Sequence, residues 1–195
     1  MEVVSETRAQ RRAAICDAVF ELLAEVGYDK MTMDAVAGRA HASKATIYRS
    51  WPDKPSLVAE TLQAKYSESP PIPDTGTLRG DLLALLSLVC SVSNSTEGEV
   101  MLGIVSASLR DPELCDVVRA FAFESKKSMH QNILDLAVAR GELASNEGYE
   151  LLHEVIFAMI SSRKFTSKEP MDEEFARHVV DDIVIPLLKH HDAER

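Results

Sequence analysis

The chain has 195 residues, 46% of them hydrophobic and 6% aromatic, with 8 Gly, 8 Pro and a formal net charge of −10. That length suits one large domain, or a small one joined to a larger one, and so few breakers favour helices over a turn-rich β fold. No apolar run reaches the roughly 20 residues of a bilayer span, and the polar N-terminal stretch has no apolar core of the kind a secretory signal needs.

In chain order, Ile15, Val19, Leu22, Leu23 and Val26 recur at helical spacing, which predicts a helix over 7–26 stopped by Gly27. Thr32 suits the cap of a second helix with 35–40 behind it. After a break at 41–43, Ser43 suits the cap of a third, which ends at Ser50 ahead of Pro52. Asp53 caps a fourth, with Pro55 in its first turn, reaching about Ser67. Three prolines within 70–73 mark the clearest boundary in the chain. Beyond it the pattern predicts helices over 78–93 and 97–108, then one from Asp111-Pro112-Glu113 to Arg140 with Gly141 as its stop. Ser145 opens the next, to about Arg163, and Glu169 or Asp172 opens the last, which Pro186 should kink or end. The fold class is therefore all-α, with about nine helices and no strand signal.

Charge is unevenly shared. Residues 1–66 hold nine Lys/Arg and nine Asp/Glu, so the acidity lies in 67–195. Within the balanced part, Arg39, Lys44, Arg49 and Lys54 form a basic cluster opposed by few acids, and Arg8, Arg11 and Arg12 form another. An acidic body with a locally basic end binds a polyanion when that end faces it. The three cysteines, Cys16, Cys90 and Cys115, are far apart and form no CxxC pair, which reads as reduced thiols in a cytoplasmic protein.

The segment HASKATIYRSW, 41–51, joins two short helices across a three-residue break, the layout of a helix-turn-helix. Such a unit sets its second helix in the DNA major groove. Lys44 and Arg49 supply charge and donors, Thr46 a hydroxyl and a methyl, Tyr48 a phenol with the reach of a phosphate, and Ala45 room for close approach. Ile47 faces the other way, towards Val36 and the first helix. A solvated charged face is the plainer reading of these residues taken singly.

Taken together, they resemble the DNA-binding domain of the TetR family of transcriptional repressors. The matching residues run from about Ala13 to Leu62: Gly27-Tyr28, Thr32, Val36-Ala37, Ala40 to Ser43, Ile47-Tyr48, Trp51, Lys54 and Leu57 at the family's offsets. His41 departs from the family's usual Gly in the turn, a place where positive φ is needed. Trp51 stands for the commoner Phe.

The resemblance implies an N-terminal three-helix DNA-binding domain, 1–67, and a C-terminal ligand-binding and dimerisation domain, 68–195. It places Thr32 and Ser43 at phosphates, Lys44, Ala45 and Thr46 at bases, Tyr48 and Lys54 on the backbone, and Arg49 at either. It also implies a homodimer paired through its last two helices, a near-palindromic double-stranded DNA operator read by two heads about 34–36 Å apart, and release by a small-molecule effector. The run 149–160, apolar on more than one face, fits a helix covered on both sides.

The effector is not legible. Met101, Leu102, Val105, Phe121, Phe123, Met129 and Ile133 read as core before they read as pocket, and His130, His153, Arg119 and Glu124 are the polar candidates within an apolar site. The rival classes are an all-α enzyme and a helical interaction module. GxSxG, HExxH, a phosphate loop and metal-ligand spacing are all missing, so no catalytic residue, metal or cofactor is expected. The intact set at 43–54 argues against a module without DNA binding.

Overall fold

Side chains that cap backbone N–H groups set most of the helix starts. The computed structural model describes residues 2–66, 71–147 and 151–193, with side chains described for these except 2–7, 122–129, 151 and 191–193. Ten α-helices follow in order: α1 Glu2–Lys30, α2 Met33–Arg39, α3 Lys44–Ser50, α4 Lys54–Lys65, α5 Leu78–Ser93, α6 Thr96–Ser108, α7 Pro112–Ala139, α8 Leu151–Ser162, α9 Glu173–Val179 and α10 Ile185–Ala193. No strand occurs among the described residues. Thr32, Ser43, Asp53, Thr77 and Asp172 each accept a hydrogen bond from the N–H three residues on, closing α2, α3, α4, α5 and α9. Gly27 (φ 74°) breaks α1 near its end and Gly141 (φ 73°) follows α7, both in the left-handed region that glycine enters without a Cβ penalty.

Three sequence expectations are corrected. Val26, placed in the core by its spacing, is 43% exposed beside the Gly27 break. Ser145 does not open a helix: its hydroxyl accepts from Glu147 N–H in a local turn, and α8 starts at Leu151. Pro186 neither ends nor sharply divides the last helix. A π-helical turn, Val180–Val184, joins α9 to α10, with the Ile185 N–H donating to the Val180 carbonyl. Proline has no N–H and its ring crowds the carbonyl four residues back, and the wider turn just upstream absorbs both. The last helix expected from Glu169 or Asp172 thus becomes two, α9 and α10.

The chain forms two compact units, Met1–Ser69 with Thr96–Phe123, and Pro70–Ser95 with Glu124–Arg195. The first packs around Ile15, Val19, Leu23, Val36, Ile47, Leu57 and Val58, joined by Val100, Ile104 and Leu114 from α6 and α7. Cys16 is buried on α1, and that burial pushes its thiol pKa up, as expected of an inert thiol.

The second unit packs α5, the end of α7, α8 and the α9–α10 segment around Leu82, Leu86, Ile133, Ile156, Val180 and Leu188. Its polar keystone is Asp81, fully buried on α5. Asp81 accepts from Thr75 N–H (2.6 Å), the Thr75 hydroxyl (2.8 Å) and Arg140 Nη2 (2.6 Å). Arg140 also reaches Asp74 and Glu142, and both oxygens of Glu142 accept from the Leu78 N–H. Burial raises the Asp81 pKa, but the Thr75 and Arg140 hydrogen bonds outweigh it and hold the group below the usual carboxylate range.

Asp81→Ala is expected to lower unfolding free energy, because it leaves the Thr75 N–H and hydroxyl without their acceptor and removes the buried one of the three carboxylates that Arg140 engages. The native pKa lies below the unfolded one, so this stabilisation is present above the ordinary carboxylate pKa and is lost as pH falls through the folded value. Asp81→Asn should flatten that acid limb in urea melts.

Candidate nucleic-acid interface

α2 and α3 are seven residues each, joined through a turn at His41. His41 takes φ 49°, the positive φ that the turn position calls for. Ala42 N–H donates to the Ala37 carbonyl at 2.9 Å, which closes the turn. Ile47 and Val36 are fully buried and pin α3 to the head's core.

Glu60 of α4 fixes the far end of α3. It accepts from Trp51 Nε1 (2.8 Å) and from Arg12 Nε (2.7 Å), and the Arg12 guanidinium lies 5.0 Å from the centre of the Trp51 ring. Arg12 is thus a positioning residue. Glu60 was missed from sequence: nothing at position 60 marks it until Trp51 and Arg12 are seen beside it.

The outward face of α3 carries Lys44, Ala45, Tyr48 and Arg49, all exposed, with Thr46 half-buried. Tyr48 and Arg49 make no hydrogen bond or ion pair with a described residue. Lys44 Nζ donates to Asp34 on α2 at 2.5 Å. That acid raises the Lys44 pKa, and so exposed a pair contributes little to stability. Ser43 Oγ accepts from Thr46 N–H at 3.2 Å and shares a 2.8 Å hydrogen bond with the Thr46 hydroxyl. Thr32 is exposed, its oxygen taking the Ala35 N–H at 3.1 Å.

Lys54 is placed differently. It is part-buried, donates to the carbonyls of Tyr28 (2.9 Å) and Met31 (3.3 Å), and lies 3.9 Å from the Tyr28 ring centre. The Tyr28 hydroxyl donates to Asp111 at 2.7 Å. Lys54 therefore ties the end of α1 to the start of α4, with one ammonium N–H left over.

Besides Asp34, four acids of the head are paired with cations: Glu21 and Glu25 with Arg39, Asp29 with Arg110, Glu60 with Arg12. Arg8, Arg11 and Arg49 have no such partner among the described residues and line one groove with Thr46, Ser50 and Trp51. The groove is electropositive although the chain is acidic. A small helix held rigidly by its core side, with donors and cations on its free side, meets the demands of a polyanion-binding reading head.

The second unit holds a separate feature. A void of about 10 Å³ is lined by Leu82, Leu85, Leu86 and Val89 of α5, His130 of α7, Ile156 of α8, and Val180 and Val184 of the π-helical turn. Of the pocket candidates read from sequence whose side chains are described, His130 alone lines it. Met101 and Phe121 pack on the core of the first unit, Arg119 is exposed, and Phe123, Glu124 and Met129 lie outside the residues whose side chains are described.

Burial, and then the neighbouring His153 ring, push the His130 pKa down to about 4. The unfolded imidazole takes up its proton first as pH falls, so this group withdraws stability between about pH 6.5 and 4. His130→Leu is expected to flatten that part of the pH–stability profile, a window above the one governed by Asp81.

The fold and the reading head define a helix-turn-helix transcriptional regulator. Residues 15–61 match the family model described as bacterial regulatory proteins, tetR family, and 72–183 match the tetracyclin repressor-like C-terminal domain. The chain belongs to the TetR family. It is 33% identical to the DNA-binding transcriptional repressor TetR of Mycobacteroides abscessus, over 92% of this chain and 94% of that one. Among solved structures, it is similar to the TetR family transcription regulator SCO0332, with TM-score 0.71, 25% identity, and 90% and 97% of the two chains covered. The fold is shared with a Bacillus subtilis transcriptional regulator, FadR, solved in complex with stearoyl-CoA, at TM-score 0.67, 19% identity, and 88% and 98% coverage. These relatives are regulators, not enzymes. No helix among the described residues is long and apolar enough to cross a membrane, and no His, Cys, Asp or Glu cluster there suits a metal ion.

Proposed function

We propose that the protein is a ligand-responsive repressor that binds a palindromic double-stranded DNA operator as a homodimer and is released by a small, mainly apolar molecule. The observation that carries this reading is the free basic face of α3, with Tyr48 and Arg49 exposed and unengaged while Ile47 beneath them is buried. Residues 1–67 form the DNA-binding domain and 68–195 the effector and pairing domain. Lys44, Ala45 and Thr46 meet base edges. Thr32, Ser43, Tyr48 and the remaining N–H of Lys54 meet phosphates, and Arg49 serves either role.

Pairing runs through the last two helices. Phe157 of α8 is 47% exposed and Leu187 of α10 is 39% exposed, an apolar surface that a second copy would cover. Repression itself is supported by the relative from Mycobacteroides abscessus, a repressor by name. A shared fold with a regulator bound to stearoyl-CoA supports a small, largely apolar effector. The effector acts by binding the DNA-free arrangement more tightly than the DNA-bound one.

Salt dependence tests the assignment. Each cation that neutralises a phosphate contributes roughly −0.9 to the slope of log K against log salt. Lys54→Ala should flatten that slope by about one unit per subunit, with a thermal melt to separate this from its loss of contacts to Tyr28 and Met31. Lys44→Ala should relax preference at one base position per half-site. Parent-like binding by both variants would remove this head from the interface.

A further inference from the structure

The void in the second unit has an unusual lining. Seven of its eight side chains are aliphatic, and the eighth is His130. The His130 Nδ1 is buried and has no hydrogen-bond partner among the described residues. Its ring meets the edge of His153, with centroids 5.2 Å apart and planes at 84°, so that contact is aromatic and does not satisfy the nitrogen. Buried polar atoms are ordinarily paired, and an unpaired one needs a reason. A void of about 10 Å³ has room for one water at most. A buried water needs two to four polar partners, and this lining offers one residue.

We infer that this void is the closed form of the effector site, and that the effector is an uncharged, mainly hydrocarbon molecule with a single hydroxyl or phenol oxygen received by the His130 ring. The inference rests on the reading of the chain as effector-responsive and specifies the effector's chemistry. Among the described residues no Lys or Arg lines the void, so a carboxylate entering it would be stripped of water without an opposing charge from them. No Asp or Glu among the described residues lines it, so an amine cation meets the same penalty.

His130 itself is held neutral by its burial. The unpartnered Nδ1 of a neutral imidazole is an acceptor or a donor according to tautomer, and a hydroxyl, which can do either, fits it. Aliphatic walls supply the rest of the binding through apolar area. The wall that can yield is the π-helical turn Val180–Val184, where hydrogen bonds already span one residue more than in an α-helix. Such turns recur at functional sites. Opening must occur, because the closed void is far smaller than any effector.

The test uses the full-length protein and three probes of one shape: 1-naphthol, naphthalene and 1-naphthoate. Calorimetry should show naphthol binding at least tenfold more tightly than naphthalene, with naphthoate weakest. His130→Leu should bring naphthol and naphthalene within about twofold, and His130→Gln should keep part of the preference. In the parent, naphthol should also move the ring ¹⁵N shifts of His130, a readout that stands even if His130→Leu does not fold.

Equal binding of naphthol and naphthalene by the parent overturns the inference. So do a preference that survives His130→Leu, tighter binding of naphthoate, and failure of all three probes to bind. Operator release is measured separately. If naphthol binds through His130 and DNA stays bound, the site stands and the effector-released reading fails. If other compounds release DNA equally from parent and His130→Leu, and naphthol shows no preference, the regulator reading stands and this site falls.

Discussion

Replacing Tyr48 and Arg49 together by alanine is expected to abolish specific DNA binding while leaving the fold intact. Both side chains are exposed and engage no described residue, so their removal should change unfolding free energy by no more than about 0.5 kcal/mol. On DNA each provides a hydrogen bond to a charged or polar edge, worth about 1.5–3 kcal/mol when the partner is charged. A dimer loses four such contacts, which together weaken binding by roughly ten-thousandfold or more. Fluorescence anisotropy with an operator duplex measures the loss, and a superimposable thermal melt shows that it belongs to the interface. A double variant that binds within threefold of the parent would move recognition away from α3.

The second large effect is expected from Phe157→Glu. Phe157 is 47% exposed on α8, and its ring stacks at 6.3 Å on that of His153 in the same helix. On a twofold axis the substitution sets a carboxylate against an apolar patch on each partner, and like charges approach one another. Sedimentation should change from dimer to monomer at micromolar concentration. DNA affinity should fall by a further 10²–10⁴, because the two heads lose their effective concentration for one another. Met159 on the same helix is a poorer probe. It packs against the unit's own core, so a charge there unfolds as much as it separates. A Phe157→Glu protein that still sediments as a dimer would place the interface elsewhere.

Much of the reading head was legible because its signals are local. Thr32, Ser43 and Asp53 cap where a short polar side chain can reach an N–H three residues on, and Gly27 breaks α1 where only glycine is free of strain. Ile47 could be assigned to the core by its period, and His41 to a positive φ by its place in the turn. Contacts across long sequence separations were not legible. The Glu60 bridge to Trp51 and Arg12, and the seat of Lys54 over Tyr28, depend on which helices meet, and no spacing reports that.

The second unit shows the same limit more strongly. Its void draws on α5, α7, α8 and the π-helical turn, four segments spread over about a hundred residues. A leucine of α5 looks alike in sequence whether it faces a neighbour or a void. The proline at 186 was expected to kink or end the last helix; the wider turn upstream that accommodates it instead goes with the packing of Val180 and Val184 into the core. Part of the Pro-rich boundary, 67–70, and Tyr149 lie outside the described residues.

The most direct test of the DNA-binding reading is selection from a random duplex library by the purified full-length protein, at moderate salt and without added effector, with sequencing of what is retained. The expected result is an inverted repeat whose half-sites lie about one helical turn apart, or a small multiple of it, as two paired heads require. Retention of nothing above background, by protein that has been unfolded, stripped of any ligand and refolded, would contradict it.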